Sequence, residues 1–376
     1  MIKLTGIPYD INSSCLKGPT PALPRIRLMD SGGSANSCCA AGTEIINGKN
    51  YTDIADAAFP NSNPDEVYKK VKTKKGLLLK KLILILFIYL ATNISLSAQQ
   101  LCVATGNYPA PELSQPVRAK MQADLNLAAS QLKENPAGLN ELIWAGRRTA
   151  YLGNYTEAID YYTTAIALHA ESPEPYRHRG HRWITIRCFD KAITDLSAAA
   201  KLIKGKQDVV EIDGMPNEKN IPTSTLHTNI WYHLGLAYYY KGEFINSSEA
   251  FKSCLAASTN SDMFIAAANW YNISLRKAGD TAAANLFLRS VNPNLSLIEN
   301  FDYLRILKLY IENQEIGNPM AFLKNEAGLG AASYGYGLGV YLQLKGENEK
   351  ANLVFNHILT LKQWGAFGYI GAERER

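Results

Sequence analysis

Two stretches of this sequence, thirty-four residues apart, repeat one another. With LIWAGRRTAYLGNYTEAIDYYTTAIAL (142–168) set above YRHRGHRWITIRCFDKAITDLSAAAKL (176–202), Gly146 falls on Gly180, Tyr155 on Phe189, Ala158 on Ala192 and Ala165 on Ala199. Self-similarity at such a spacing marks an array of stacked units, each too small to bury its apolar face except against its neighbours. The matched residues say what the unit is. Two antiparallel helices approach closely only where Gly or Ala stands at their crossing, and an aromatic residue fills the turn beneath. The chain must therefore pack as a row of helical hairpins.

The phase continues. WYHLGLAYYYKGEFINSSEAFKSCL (231–255) carries Trp231, Gly235, Gly242, Phe244 and Cys254 at the corresponding places. ANWYNISLRKAGDTAAANLFLRSV (268–291) follows more weakly around Gly279 and Ala284, and GYGLGVYLQLKGENEKANLVFNHIL (335–359) returns with Gly339, Gly346, Ala351 and Phe355. Gly279 and Gly346 lie nearly two periods apart, so a degenerate unit fills 301–325, with FDYLRILKLYI as its first helix and Pro319 opening a short second one. Segment 117–134 reads as an N-terminal half-unit, and FGYIGAERER as a capping helix with a charged end. Between Gly180 and Gly235 the spacing exceeds one period by 21 residues, which fall near 204–226. A loop this long inside an array is expected to fold across one end of its groove.

The pattern resembles the tetratricopeptide repeat, whose units ask for a large residue at position 4, a small one at 8, an aromatic at 17, Ala at 20 and a small one at 27. The stretches RHRGHR, NIWYHLGLAYY and WGAFGYI are similar to those of exported bacterial members of that family. The resemblance implies an all-α protein, an α-solenoid in which antiparallel helix pairs form a right-handed superhelix. It places the repeat domain at 116–376, after a linker at 99–115.

The resemblance also sorts PEPYRHRGHRW (173–183), which packs three arginines and two histidines into one helix. In the family, the first helix of a unit turns positions 4, 7, 8 and 11 inward and shows 2, 5, 9, 12 and 13 to the concave surface. Tyr176, Gly180 and Trp183 are then core, while Arg177 and His181, one turn apart, point together into the groove. Arg147 and Tyr151 join them from the first unit, and Tyr232, Tyr239 and Tyr240 from the third. A groove that is cationic on one side and aromatic beside it suits a peptide or protein partner of acidic character. Arg179 stands at position 7, where the family prefers an apolar residue. A buried Arg needs an acid or carbonyl, so Arg179 is either a site residue or the structural partner of Asp195, Asp190 or Glu174.

Other chemistries find little support. His178 and His181 have a spacing that helical zinc sites use, with His227 and His233 further on. Yet the two should diverge, one lateral and one concave, so neither a metal nor another cofactor is expected. No G-x-S-x-G, H-E-x-x-H or phosphate-loop signature occurs after residue 98, and no catalysis is expected. The net charge of +5 is no sign of nucleic-acid binding: residues 1–98 hold 12 Lys+Arg against 7 Asp+Glu, and the remainder is balanced.

That front segment has its own reading. In VKTKKGLLLKKLILILFIYLATNISLSAQQ (71–100), five lysines precede an apolar run from Leu82 to Ala91 and a small-residue stretch ending Ser97-Ala98-Gln99. This is the order of a bacterial signal peptide over 71–98. The run is short for a membrane span, which needs ~20 residues, though counting from Leu77 leaves an uncleaved anchor as the alternative. Residues 1–70 show no sustained periodicity and read as a non-native or disordered extension, with translation starting near Val71. Export to the periplasm or medium of a Gram-negative cell follows, with membrane contact only if the signal is uncleaved. Cys102, Cys188 and Cys254, an odd number at scattered positions, suggest no disulfide framework, and Leu101 argues against lipid attachment at Cys102.

The expected function is an exported scaffold that binds a peptide or protein in its concave groove. The alternative is an enzyme or enzyme subunit holding a small anionic ligand under the 204–226 loop through Arg177, Arg179 and His181. A third reading is an envelope-assembly part anchored by its signal. An open channel would favour the first, and a closed pocket under the loop with Arg179 inside it the second.

Overall fold

Gly153, Gly242, Gly279 and Gly346 end the first helices of their hairpins at φ +95°, +79°, +87° and +82°. This left-handed turn lets the chain reverse, and glycine enters it without steric cost. In the second hairpin the corresponding residue is Arg187, held at φ +63°. The computed structural model of the chain describes the backbone of Ile2–Gly6 and Tyr51–Asp56, and residues 108–376 apart from Asp213. The chain divides into two compact units, Met1–Gln99 and Gln100–Arg376.

In the first unit, β1 (Ile2–Gly6) and β2 (Tyr51–Asp56) pair in parallel, Ile2 opposite Tyr51, with an irregularity between Leu4 and Gly6. Residues 1–70 gave no alternation that announced these strands. The signal-like segment 71–98, and the linker up to residue 107, lie outside the described residues.

The second unit is helical. Helix α1 (Gln115–Glu134) leads into six hairpins: α2 (Leu139–Tyr151) with α3 (Tyr155–Leu168), α4 (Pro173–Thr185) with α5 (Phe189–Leu202), α6 (Leu226–Tyr240) with α7 (Phe244–Ala257), α8 (Ser261–Lys277) with α9 (Thr281–Leu288), α10 (Phe301–Glu312) with α11 (Pro319–Leu323), and α12 (Gly328–Leu344) with α13 (Asn348–Thr360). The degenerate fifth unit is where the sequence put it, its second helix opened by Pro319 and capped by the Asn318 side chain. Each helix packs on the next, as a solenoid requires, except in the degenerate fifth unit, where α10 packs chiefly on α12 and α11 on α12 and α13.

Four crossings obey one rule. A Cβ on Gly146, Gly180, Gly235 or Gly339 would come within 2.4–2.7 Å of Tyr162, Leu196, Phe251 or Phe355, in every case the residue sixteen positions further on. The larger side chain of the second helix thus occupies the space that the glycine leaves open. Ala158, Ala165, Ala192 and Ala199 are fully buried at the remaining contacts.

Two segments depart from the array. The insert after α5 returns through a single bridge, Val210 to Thr225, and crosses α2. There Arg147 Nη2 donates to Ile212 O at 2.9 Å and Arg148 Nη1 to Gly214 O at 3.0 Å. The last helix, α14 (Phe367–Arg374), does not cap the end of the stack. It packs on α12, α13 and α6, against the face that the first helices of the hairpins share. Gly368 and Gly371 permit this: a Cβ on the first would meet Ala332 O at 2.0 Å, and on the second the Tyr336 ring at 2.5 Å. Among the described residues no helix is long and apolar enough to cross a membrane.

Candidate functional site

Four of the residues singled out by sequence meet. Arg147 and Tyr151 from α2, with Arg177 and His181 from α4, line a cavity of about 290 Å3. The insert covers it through Glu211 and Met215, and Phe367 of α14 closes its inner end. The one-turn spacing of Arg177 and His181 accounts for their shared direction. The insert explains the closure: its carbonyls hold Arg147, and its Glu211 reaches Arg177.

Cationic groups dominate the lining. Arg147, Arg177 and Arg182 face a single carboxylate, Glu211. Arg177 is 8% exposed. Its Nη2 lies 2.9 Å from Glu211 Oε1, its Nη1 donates to His178 Nδ1 at 3.1 Å, and its Nε–H is buried with no acceptor. Burial pulls the Arg177 pKa below its ordinary value. The imidazoles of His178, His181 and His233 are held well below the usual histidine range, by burial first and then by the neighbouring arginines. They are neutral at pH 7. His233 Nδ1 lies 2.6 Å from Asn229 O, which makes it the protonated nitrogen, and His178 Nδ1 must be the unprotonated one to accept from Arg177. The rings of His181 and His233 sit 4.3 Å apart between centroids.

Such a cavity is fitted for an anion. It offers an unpaired buried N–H and an excess of positive charge. Among the described residues no three His, Cys, Asp or Glu side chains converge on a point where a metal could sit. Cys254 is buried, its thiol pushed up to about 12, which leaves it unreactive as a nucleophile.

No family model matches the chain, and no curated protein matches it. Solved structures similar to it include MamA (17% identity, 54% of this chain and 100% of that one, TM-score 0.36). They include YrrB, described as a TPR protein with an unusual peptide-binding site (13% identity, 63% and 92%, TM-score 0.36). A tetratricopeptide repeat protein from Parabacteroides merdae matches at 15% identity over 65% and 88%, with TM-score 0.40. The assignment rests on the chain's own register, in which four glycines each receive the side chain sixteen positions on. The chain folds as a tetratricopeptide-like repeat array.

Within this tetratricopeptide-repeat frame, the other predicted groove residues fare differently. Arg179 is not in the groove. Its Nε and Nη2 donate to the two oxygens of Asp195 at 2.7 and 2.8 Å, and its Nη1 to Thr163 Oγ1 at 3.0 Å. Trp183 Nε1 donates to the same carboxylate at 3.0 Å. Arg179 lies two residues beyond Arg177, about 200° around the helix, and so cannot share its direction. Tyr232, Tyr239 and Tyr240 do stand on the concave side, but they are buried rather than an open wall. Tyr232 Oη donates to Tyr303 Oη at 3.1 Å, the Tyr239 and Tyr336 hydroxyls are 2.9 Å apart, and Tyr240 Oη donates to Phe367 O at 2.8 Å. The open channel that would have favoured peptide binding is absent here, because α14 fills this side.

Sequence reasoning did not place His178, Arg182, Glu211 or His233 in this cavity, and weighed His178 and His233 only as metal ligands. A signal existed for two of them: His178 and His233 each precede their unit's glycine, Gly180 or Gly235, by two residues, so stacking brings them to one side. Nothing in the sequence tied Glu211 to Arg177.

Proposed function

We propose that this chain is an exported interaction scaffold that recognises an anionic group, the carboxylate of a peptide or protein partner, in the cavity beneath the insert. One observation carries the reading: the Arg177 Nε–H, buried without an acceptor beside Arg147 and Arg182. The insert's own Glu211 on Arg177 is a resident carboxylate that a stronger one can displace. A second reading, a small free anion held by the same groups, is favoured by the cavity's modest size and closure. Arg179 takes no part in either, since Asp195 occupies it.

Calorimetric titration separates them. A short peptide ending in a free carboxylate is compared with its amidated form and with glutarate, on wild type and on Arg177→Met. Loss of a charge-assisted hydrogen bond weakens binding about 10–100-fold. Tighter binding of the carboxylate peptide than of the amide, lost in Arg177→Met, supports the first reading. Glutarate binding without peptide binding supports the second, and equal affinity of both proteins for every probe defeats the cavity assignment. Export is supported by the signal-like order of 71–98 and by Cys188, which is disulfide-bonded, a state typical of oxidising compartments. N-terminal sequencing of the mature protein tests it: peptides from 1–98 would refute processing.

A further inference from the structure

We infer that the concave surface of units three to six is a receptor for a short helix, and that α14 is its resident, displaceable occupant. The partner that replaces it is a helix with glycines three residues apart, an aromatic residue before them and a carboxylate just past its C-terminal end. This inference does not rest on the anion cavity, although Phe367 of the same helix also lines that cavity.

The grip on α14 comes from both ends. At its C-terminal end the Glu375 carboxylate lies in a cradle of three side chains. Lys277 Nζ donates to both of its oxygens at 2.8 and 2.7 Å, Gln343 Nε2 donates at 3.0 Å and Tyr336 Oη at 3.1 Å. Lys277 and Glu375 are largely shielded from water, their side chains 13% and 11% exposed. These three donors come from α8 and α12, so the cradle belongs to the stacked repeats and is presented to the last helix. At the other end Tyr240 Oη holds the Phe367 carbonyl, and Phe367 packs on the rings of His181 and His233.

Arg187 is the second clue. Four of the other hairpins give this turn to a glycine and the fifth unit gives it to Asn313 (φ +47°), since a left-handed backbone disfavours most side chains. The second hairpin keeps an arginine there, whose Nη1 donates to the nearby Thr185 carbonyl while its Nε and Nη2 reach the C-terminal segment. Its Nε donates to Glu373 Oε2 at 2.8 Å and its Nη2 to Trp364 O at 3.0 Å, with the guanidinium 3.5 Å from the Trp364 ring centroid. A residue held against its backbone preference to make such contacts points to function.

The occupant itself behaves as a peptide ligand would. α14 has eight residues, too few to be helical alone, so docking makes the helix. Its inner face is small, with Gly368, Gly371 and Ala372 buried around the single aliphatic Ile370. It is tethered by residues 361–366, in which no helix forms.

The test uses the full chain and a fluorescent peptide of residues 361–376. Gly371→Leu places a side chain against the Tyr336 ring and expels the tethered helix. A tethered occupant competes at an effective concentration of about 1 mM, so the peptide should bind wild type roughly 100-fold more weakly than Gly371→Leu. Adding Lys277→Glu to that variant should abolish binding, and a peptide carrying Glu375→Lys should restore it. Arg177→Met should leave all of this unchanged, which keeps the result separate from the anion cavity. A folded Gly371→Leu protein that fails to bind the peptide overturns the inference. If that variant does not fold, hydrogen exchange on wild type decides. α14 amides exchanging at least roughly 100-fold faster than those of α12 uphold a displaceable occupant, whereas a single shared exchange event makes α14 core and ends the proposal.

Discussion

Acidification from pH 7.0 to 5.5 destabilises this protein through its buried imidazoles. His178 and His233 are 6% and 4% exposed, and burial, with Arg177 nearby, holds both well below the usual histidine pKa. The groups facing them are Arg147, Arg177 and Arg182 with the single acid Glu211. In the unfolded chain each titrates near 6.5. A depressed native pKa means that only the unfolded chain takes up the proton. The stability each supplies is therefore complete above pH 6.5 and is lost as the pH falls. With neither ring protonated in the native state, linkage gives about 1.2 kcal/mol per histidine over this interval, or about 2.5 kcal/mol for the pair. For a domain of this size that is a fall in Tm of roughly 5–10 °C. His181, shifted in the same direction, adds to it. Glu373 and Asp302 work in the opposite sense, because burial raises their pKa values and protonation then favours the folded state. Their window opens toward the carboxylate range, so scans should stop at pH 5.5. Thermal unfolding of wild type, His233→Gln and His178→Gln at both pH values is the assay. With three imidazoles sharing it, each variant should lose about a third of the pH-dependent shift. An unchanged wild-type Tm, or variants that fall as far as wild type, would refute neutral imidazoles in the cavity.

Other outcomes follow from single contacts. Arg179→Met strands the buried Asp195 carboxylate and should cost about 3 kcal/mol in urea unfolding, while leaving anion binding untouched. Gly235→Val drives a side chain into the Phe251 ring and should cost about 1–3 kcal/mol, read the same way. Alkylation in denaturant without reductant should label Cys254 and leave Cys188 unlabelled, since Cys188 is disulfide-bonded and Cys254 is free. Labelling of both would deny that bond and weaken the case for an oxidising compartment.

The hairpins were legible because their defining contacts are short in sequence and recur. Gly146 meets Tyr162 as Gly235 meets Phe251, and the weakest unit could be placed by counting periods between Gly279 and Gly346. Arg147, Tyr151, Arg177 and His181 were legible for the same reason: their direction is set by one helix, whatever lies opposite. Arg179 shows where this stops. Its unusual position was visible, but whether Asp195 or a ligand met it depended on a second helix's register.

What covers the concave side could not be read from any repeat. Glu211 reaches Arg177 from an insert with no counterpart in the other units, and Glu375 reaches Lys277 from 98 residues away. Such contacts leave no period, only local exceptions that look like noise within a unit. Arg187 in a glycine's place is one, and the paired glycines at 368 and 371 in a supposed cap are another. The glycines belong to the segment that fills the groove, and Arg187 holds that segment. In a repeat protein the regular residues specify the stack, and departures from the pattern mark where something other than the next repeat is being held.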